Sequence, residues 1–348
     1  QKKADKIKIK LKLLMLQSRH FILVGFFLFC GCATVPIEPN PSIPTAATVA
    51  TLAFEEEVSL EAANIAKEHG DYAEAMKIFE EVLKKNPVAS EAFVGIGEIY
   101  VLQKEWKKAE PAFARAAQLE PRDFDAQFGH GISLQMTKKF VDAVRSYHKA
   151  LTIEPDNLEA NVNIATTYLQ LGRPQSALVF AQRAASLESS SSVAQITLAA
   201  TYQLLNEPDA ALNAYIAASE LMQEPSSQLM RNIIYLLTQQ KRYQEVVNTT
   251  KQLVQLDPTS DSYEYLGWAE FRLGDFSASL EAYKMSVEYD DMNWRSLNGI
   301  GVNELNAWLL SDRLNNTSYQ SARMAFRRSL AIFPDQPKVI TLVLRYGL

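Results

Sequence analysis

The side chains best suited to chemistry are two cysteines, Cys30 and Cys32, and four histidines, His20, His69, His130 and His148. A thiolate can be acylated, oxidised or metallated, but Cys30 and Cys32 are one residue apart, which is not the C-x-x-C spacing of a redox pair. No other cysteine exists, so the rest of the chain can hold neither a disulfide framework nor a cysteine-type zinc site. The histidines are scattered. His69 stands beside Gly70 at a helix end, where a cation suits the helix dipole, and His130 reads as a core imidazole satisfied by a neighbour rather than as a ligand. There is no H-E-x-x-H, no glycine-rich phosphate loop, no G-x-S-x-G and no serine–lysine signature. Carboxylate pairs such as Asp290-Asp291 fall at turns and read as solvated. Asn248-Thr249-Thr250 and Asn315-Asn316-Thr317 fit N-x-[ST] and read as chance matches. No catalytic, cofactor or metal residues are assigned, and the chain is expected not to be an enzyme.

The cysteines lie at the end of an ordered N-terminal pattern. Residues 1–31 contain seven Lys/Arg and one acid, Asp5, followed by an apolar run from Phe21 to Phe29 and then Gly31, Cys32 and Ala33. That order is the basic region, apolar core and cleavage site of an export signal. The apolar core is too short to span ~30 Å of hydrocarbon at ~1.5 Å per residue, with a short tilted anchor as the competing reading. Phe29-Cys30-Gly31-Cys32 resembles the bacterial lipobox, with Phe29 in the place of the usual Leu. The resemblance implies cleavage before Cys32, acylation of its thiol and new amino group, and a membrane anchor of more than one acyl chain. Because Ala33 is not Asp, it also implies the outer membrane facing the periplasm. Residues 1–31 are thus expected to be a lipoprotein signal peptide. Residues 32–53, with Pro36, Pro39, Pro41 and Pro44, are expected to be an extended tether.

Beyond residue 31 the chain holds 28 Lys/Arg against 39 Asp/Glu. So acidic a body repels phosphate backbones, and it has no basic cluster interleaved with aromatics, so no nucleic-acid partner is expected.

The body repeats itself. Ala75, Ala109, Ala143, Ala177 and Ala211 recur at intervals of 34 residues. Four residues after them stand Phe79, Phe113, Tyr147, Ala181 and Tyr215, and Pro87, Pro121 and Pro155 close the first three units. Upstream, Ile96-Gly97 precedes Tyr100, Ile164-Ala165 precedes Tyr168, and Leu198-Ala199 precedes Tyr202. This pattern resembles the tetratricopeptide repeat. Each unit would hold two amphipathic helices, A and B, whose apolar faces only a neighbouring unit can cover. Small residues such as Gly97, Gly131 and Ala75 let the helices approach, and the aromatics fill the gap to the next unit. The residues before the prolines, Asn86, Glu120 and Glu154, should leave helical geometry. The fold class is therefore all-α, a right-handed solenoid of about eight helix-turn-helix repeats over 54–336. In the sixth, Val246 takes the Ala position; the eighth has an expanded turn at 309–318, and 337–348 form a capping helix.

The family implies that helix A lines a concave groove. Projecting the phase gives Val94, Glu98, Phe128, Ile132, Val162, Thr166, Ile196, Ala200, Arg231, Tyr235, Glu264, Trp268 and Phe271. Arg231 is the only basic residue among them, which argues against the variety that clamps a peptide's C-terminal carboxylate. Arg231, Tyr235, Trp268, Phe271 and Arg272 are the expected partner-binding set, with Trp268 as anchor, because interface hot spots favour Trp, Tyr and Arg. The competing reading is that these aromatics pack between neighbouring helices. The resemblance implies a non-enzymatic, lipid-anchored scaffold that binds protein partners in the bacterial envelope, in pilus or secretion-system assembly, with no small-molecule substrate. The alternatives are a regulatory or recognition subunit of an envelope enzyme and an exopolysaccharide-export component.

Overall fold

A helix that must bury one face needs a neighbour, and these helices come in pairs. The structure, a computed structural model, describes residues 46–224 and 226–348, with side chains from Phe54 onward. The expected signal segment, Cys32 and residues 32–45 of the tether lie outside the described residues. Helix α1 runs Ala46–Glu68 and pairs with α2, Tyr72–Lys85. Then follow α3 (Ser90–Leu102) with α4 (Trp106–Leu119), α5 (Phe124–Met136) with α6 (Phe140–Ile153), and α7 (Leu158–Gln170) with α8 (Pro174–Leu187). The series continues with α9 (Ser192–Leu204) and α10 (Pro208–Leu221), α11 (Ser227–Gln239) and α12 (Tyr243–Leu256), and α13 (Ser260–Leu273) and α14 (Phe276–Tyr289). Helices α15 (Trp294–Leu310) and α16 (Asn316–Ile332) make the eighth hairpin, and α17 (Pro337–Tyr346) lies against α16. No strand occurs among the described residues. The fold is the expected all-α solenoid of hairpins.

Local chemistry sets the boundaries. Most A helices begin at a side-chain cap that recurs with the repeat: Asp123, Asn157, Ser191, Ser226, Thr259 and Asn293 each accept a hydrogen bond from the backbone N–H three residues on. At the other end of the hairpins, Asn86, Glu120 and Glu154 sit at φ of −129°, −126° and −124°, pushed out of the helix by the proline that follows. Helix α1 starts at Ala46, inside the stretch expected to be tether. Pro44 is the last proline of that run, and AATVATLA contains no residue that breaks a helix.

Every A-to-B turn of the first seven hairpins passes through a residue in the left-handed region. Gly70, Gly172 and Gly274 fill it at no steric cost, Asn206 at little, and Lys104, Lys138 and Lys241 at φ of 60°, 63° and 58°. Exchanging these three lysines for glycine is expected to stabilise the chain by about 0.5–1 kcal/mol per site. Urea midpoints check this; an unchanged or lowered midpoint contradicts it.

Rings from the B helices pack against glycines of their own hairpin, of the next one, as Phe79 does, or of both, as Phe113 and Tyr283 do. Phe79 lies against Gly95, Phe113 between Gly97 and Gly129, Tyr147 against Gly131, Tyr283 between Gly267 and Gly299, and Phe326 against Gly301. A Cβ on any of these glycines would fall inside van der Waals contact of the ring. Where Ala181 stands in the ring's place, Ala165 and Ala177 close around it.

The eighth hairpin departs from expectation. Its extra residues do not make a long turn. Helices α15 and α16 each extend to 17 residues, against 13 or 14 in α2 to α14, and only residues 311–315 remain between them. Residues 309–310 and 316–318 are helical because nothing in AWLL or NTSYQ breaks a helix, and Asn315 caps α16 by accepting from the Ser318 N–H.

Candidate functional site

Which side of the stack is inner follows from helix approach. A helices of successive hairpins approach one another at α3–α5, α5–α7, α7–α9 and α13–α15, more closely than most neighbouring B helices do. The A helices therefore line the inner face. Along the first four repeats part of that face is taken up by its own side chains: Val94 and Val162 are buried, Phe128 packs on Tyr147, and Glu98 pairs with Lys67.

The inner face opens toward the C-terminal end. Thr238 of α11, Glu264, Tyr265, Trp268, Phe271 and Arg272 of α13, and Trp294, Arg295 and Asn298 of α15 surround a cavity of about 570 Å³. Tyr283 and Gly299 form its floor, and burial pushes the Tyr283 phenol well above its ordinary value, so it stays neutral. Trp268 packs partly on the core beneath and meets Tyr243 edge-on at 6.0 Å. The Arg272 guanidinium lies 4.9 Å from the Tyr243 ring and 5.9 Å from the Trp268 ring, and donates to the Tyr243 hydroxyl at 2.6 Å. On the opposite wall Arg295 lies 4.7 Å over Trp294, which itself stacks on Phe333. Neither guanidinium has a carboxylate partner among the described residues. Glu264, the acid in the wall, is engaged by the Asn293 amide at 2.9 Å. The arrangement offers aromatic surface and two cations.

Of the five residues expected at the site, Trp268, Phe271 and Arg272 come together here. Arg231 and Tyr235 on α11 do not line the cavity. Arg231 pairs with Asp257 at 2.7 Å across the end of α12, and Tyr235 is exposed nearby on α11. Sequence reasoning missed Trp294, Arg295 and Asn298. One repeat length on from Glu264 and Trp268 come Asn298 and Val302, both in the cavity wall, so extending the same phase one unit further finds that wall.

A second, polar cavity of about 410 Å³ lies among α4, α5 and α6. His130 shares a hydrogen bond with the Ser146 hydroxyl there at 3.2 Å, and burial lowers its pKa, so it is neutral at pH 7. The imidazole is thus hydrogen-bonded to a neighbour, but it is half-buried in a cavity wall and not in the core. No group of three or more His, Cys, Asp and Glu among the described residues is placed to hold a metal ion, and no described helix is long and apolar enough to cross a membrane.

Residues 60–126 and 134–185 each match a family model of the tetratricopeptide repeat. Among solved structures the chain is similar to PilF of Pseudomonas aeruginosa, at 16% identity over 60% of this chain and 94% of that one, with a TM-score of 0.52. It is similar to PilW, a type IV pilus biogenesis factor, at 19% identity over 58% and 94%, with a TM-score of 0.52. At these identities the likeness shows the fold. No curated protein matches the chain.

Proposed function

We propose that this tetratricopeptide-repeat chain is a non-enzymatic scaffold, anchored to a bacterial envelope membrane through acylated Cys32, that docks a protein partner in the cavity around Trp268, Phe271 and Arg272. The cavity carries the reading. It opens on the inner face, and it is lined by the Trp, Tyr and Arg types that dominate interface energetics. Its walls are helices, so the anchors are held before a partner arrives. The partner is sought among components that assemble pili or secretion channels, by analogy with the fold of PilF and PilW and with the lipobox.

The partner test is photo-crosslinking in the native organism, with a benzoylphenylalanine at Tyr265 in the cavity wall and a second at Val179, exposed on α8. A discrete adduct from Tyr265, absent from Val179 and lost with Trp268→Ala, is expected. The same adduct from both positions, or one indifferent to Trp268, overturns the site. For the anchor, labelled palmitate should enter the chain and be lost with Cys32→Ser; retained label refutes the assignment.

A further inference from the structure

We infer that the chain associates head to tail with a second copy of itself, the eighth hairpin and α17 of one copy seating on helix α1 of the next. The three most exposed large apolar side chains among the described residues are Leu314, Leu344 and Leu310, at 83%, 78% and 77%. They belong to one end of the molecule. The Tyr319 hydroxyl donates to the Gly347 carbonyl at 2.7 Å, the Trp308 indole donates to the Arg313 carbonyl at 3.1 Å, and the Trp308 and Tyr346 rings meet edge-on. These contacts gather the turn after α15 and the last turn of α17 around one aromatic cluster. Arg313 and Arg345 lie over its rings, again with no carboxylate partner among the described residues.

The opposite end carries the complementary chemistry. Phe54, Val58 and Ile65 of α1 are exposed, and their spacing of four and seven residues puts them on one face of the helix. Glu55, Glu57, Glu61 and Glu68 are exposed on the same helix. The charge difference extends beyond the patches: residues 292–348 hold seven Lys/Arg against three Asp/Glu, and residues 54–291 hold 21 against 35.

In a stack of repeats the end units ordinarily turn a polar face outward, since nothing follows to cover them. Here both end faces carry exposed apolar side chains among their charges, and those charges are opposite. Two copies meeting like to like would bring Arg313 and Arg345 against their own kind, or α1's glutamates against glutamates. Unlike ends bury leucine against phenylalanine and valine while pairing arginine with glutamate. A lipid surface would suit the leucine-and-arginine end but leaves the stripe on α1 without a role. Because the two faces differ, the contact is heterologous and can extend beyond two copies.

The test is the mass of the full chain by light scattering across a wide concentration range, alone and in two variants whose changes lie on exposed positions. Val58→Lys with Ile65→Lys disables the α1 face, and Leu314→Glu with Leu344→Glu disables the other; circular dichroism establishes that both are folded. Wild type is expected to grow in mass with concentration and to lose it with added salt. Each variant alone should be monomeric. An equimolar mixture should give one-to-one dimers and nothing larger, since a single productive junction remains. A monomeric wild type overturns the inference, and so does a variant that associates like wild type by itself. A leucine variant that differs from wild type only in losing binding to phosphatidylglycerol vesicles would reassign that end to a membrane and overturn it equally.

Discussion

Replacing Phe113 with alanine is expected to destabilise the chain by about 3–5 kcal/mol, the range for removing a fully buried aromatic ring from a core that cannot close over the gap. The ring is 2% exposed, and it touches three helices. It grows from α4, lies against Gly97 of its own A helix and against Gly129 of α5 in the next repeat. Both glycines lack a side chain that could swing into the void, and both helices are held by their own caps and neighbours. The loss therefore falls on the junction between the second and third repeats. Nearest-neighbour coupling is what makes a repeat array unfold as one unit. Weakening one junction should split the urea transition, with the N-terminal repeats melting first and hydrogen exchange faster there than beyond α6. A loss under about 1.5 kcal/mol with one undivided transition would mean that the packing around Gly97 and Gly129 relaxes freely. Phe113→Leu, which keeps much of the volume, should cost less than half as much.

The same ring explains why so much of the fold was legible. A 34-residue comb of alanines and aromatics is visible because each unit solves the same steric problem with the same residue types, so Ala109, Phe113 and Gly97 announce one another. The prolines at 87, 121 and 155 act through local geometry and could be read one at a time. Legibility fails where a contact joins residues whose types say nothing of each other. Nothing in the sequence around Arg231 points to Asp257, 26 residues on, yet Arg231 is engaged there, and the α11 residue that lines the cavity is Thr238, two turns further on. The eighth hairpin departs from the sequence expectation because composition alone cannot distinguish an exposed helical turn from a loop, and the cap at Asn315 decides it. Half of the cavity was found and half missed for a related reason. Trp268, Phe271 and Arg272 share one helix and could be seen together, whereas Trp294 and Arg295 join them only through the stacking of the eighth hairpin on the seventh.

Truncating Trp268 to alanine is expected to weaken partner binding by about 2 kcal/mol or more, roughly thirtyfold or greater in Kd, the threshold that marks an interface anchor. Two effects combine. The indole is a wall of the cavity, and it is also one of the two rings that hold the Arg272 guanidinium, with Tyr243 as the other. Without it a partner loses apolar contact area and meets a cation that is less well placed. The indole also packs on the core of the sixth repeat, so some stability is lost as well, and a fall in the unfolding midpoint alone does not separate docking from packing. Affinity measured well below that midpoint does. Trp268→Phe sharpens the distinction, because it keeps an apolar ring against Tyr243 and should restore most of the stability. If the indole faces a partner, this variant should remain several-fold weaker in binding than wild type, since phenylalanine covers less of the cavity wall and gives Arg272 a poorer face. Arg272→Gln should reduce affinity more at low salt than at high, which an aromatic that only packs would not do. A folded Trp268→Ala chain that binds its partner as tightly as wild type would assign the indole to the core and leave the cavity without an anchor.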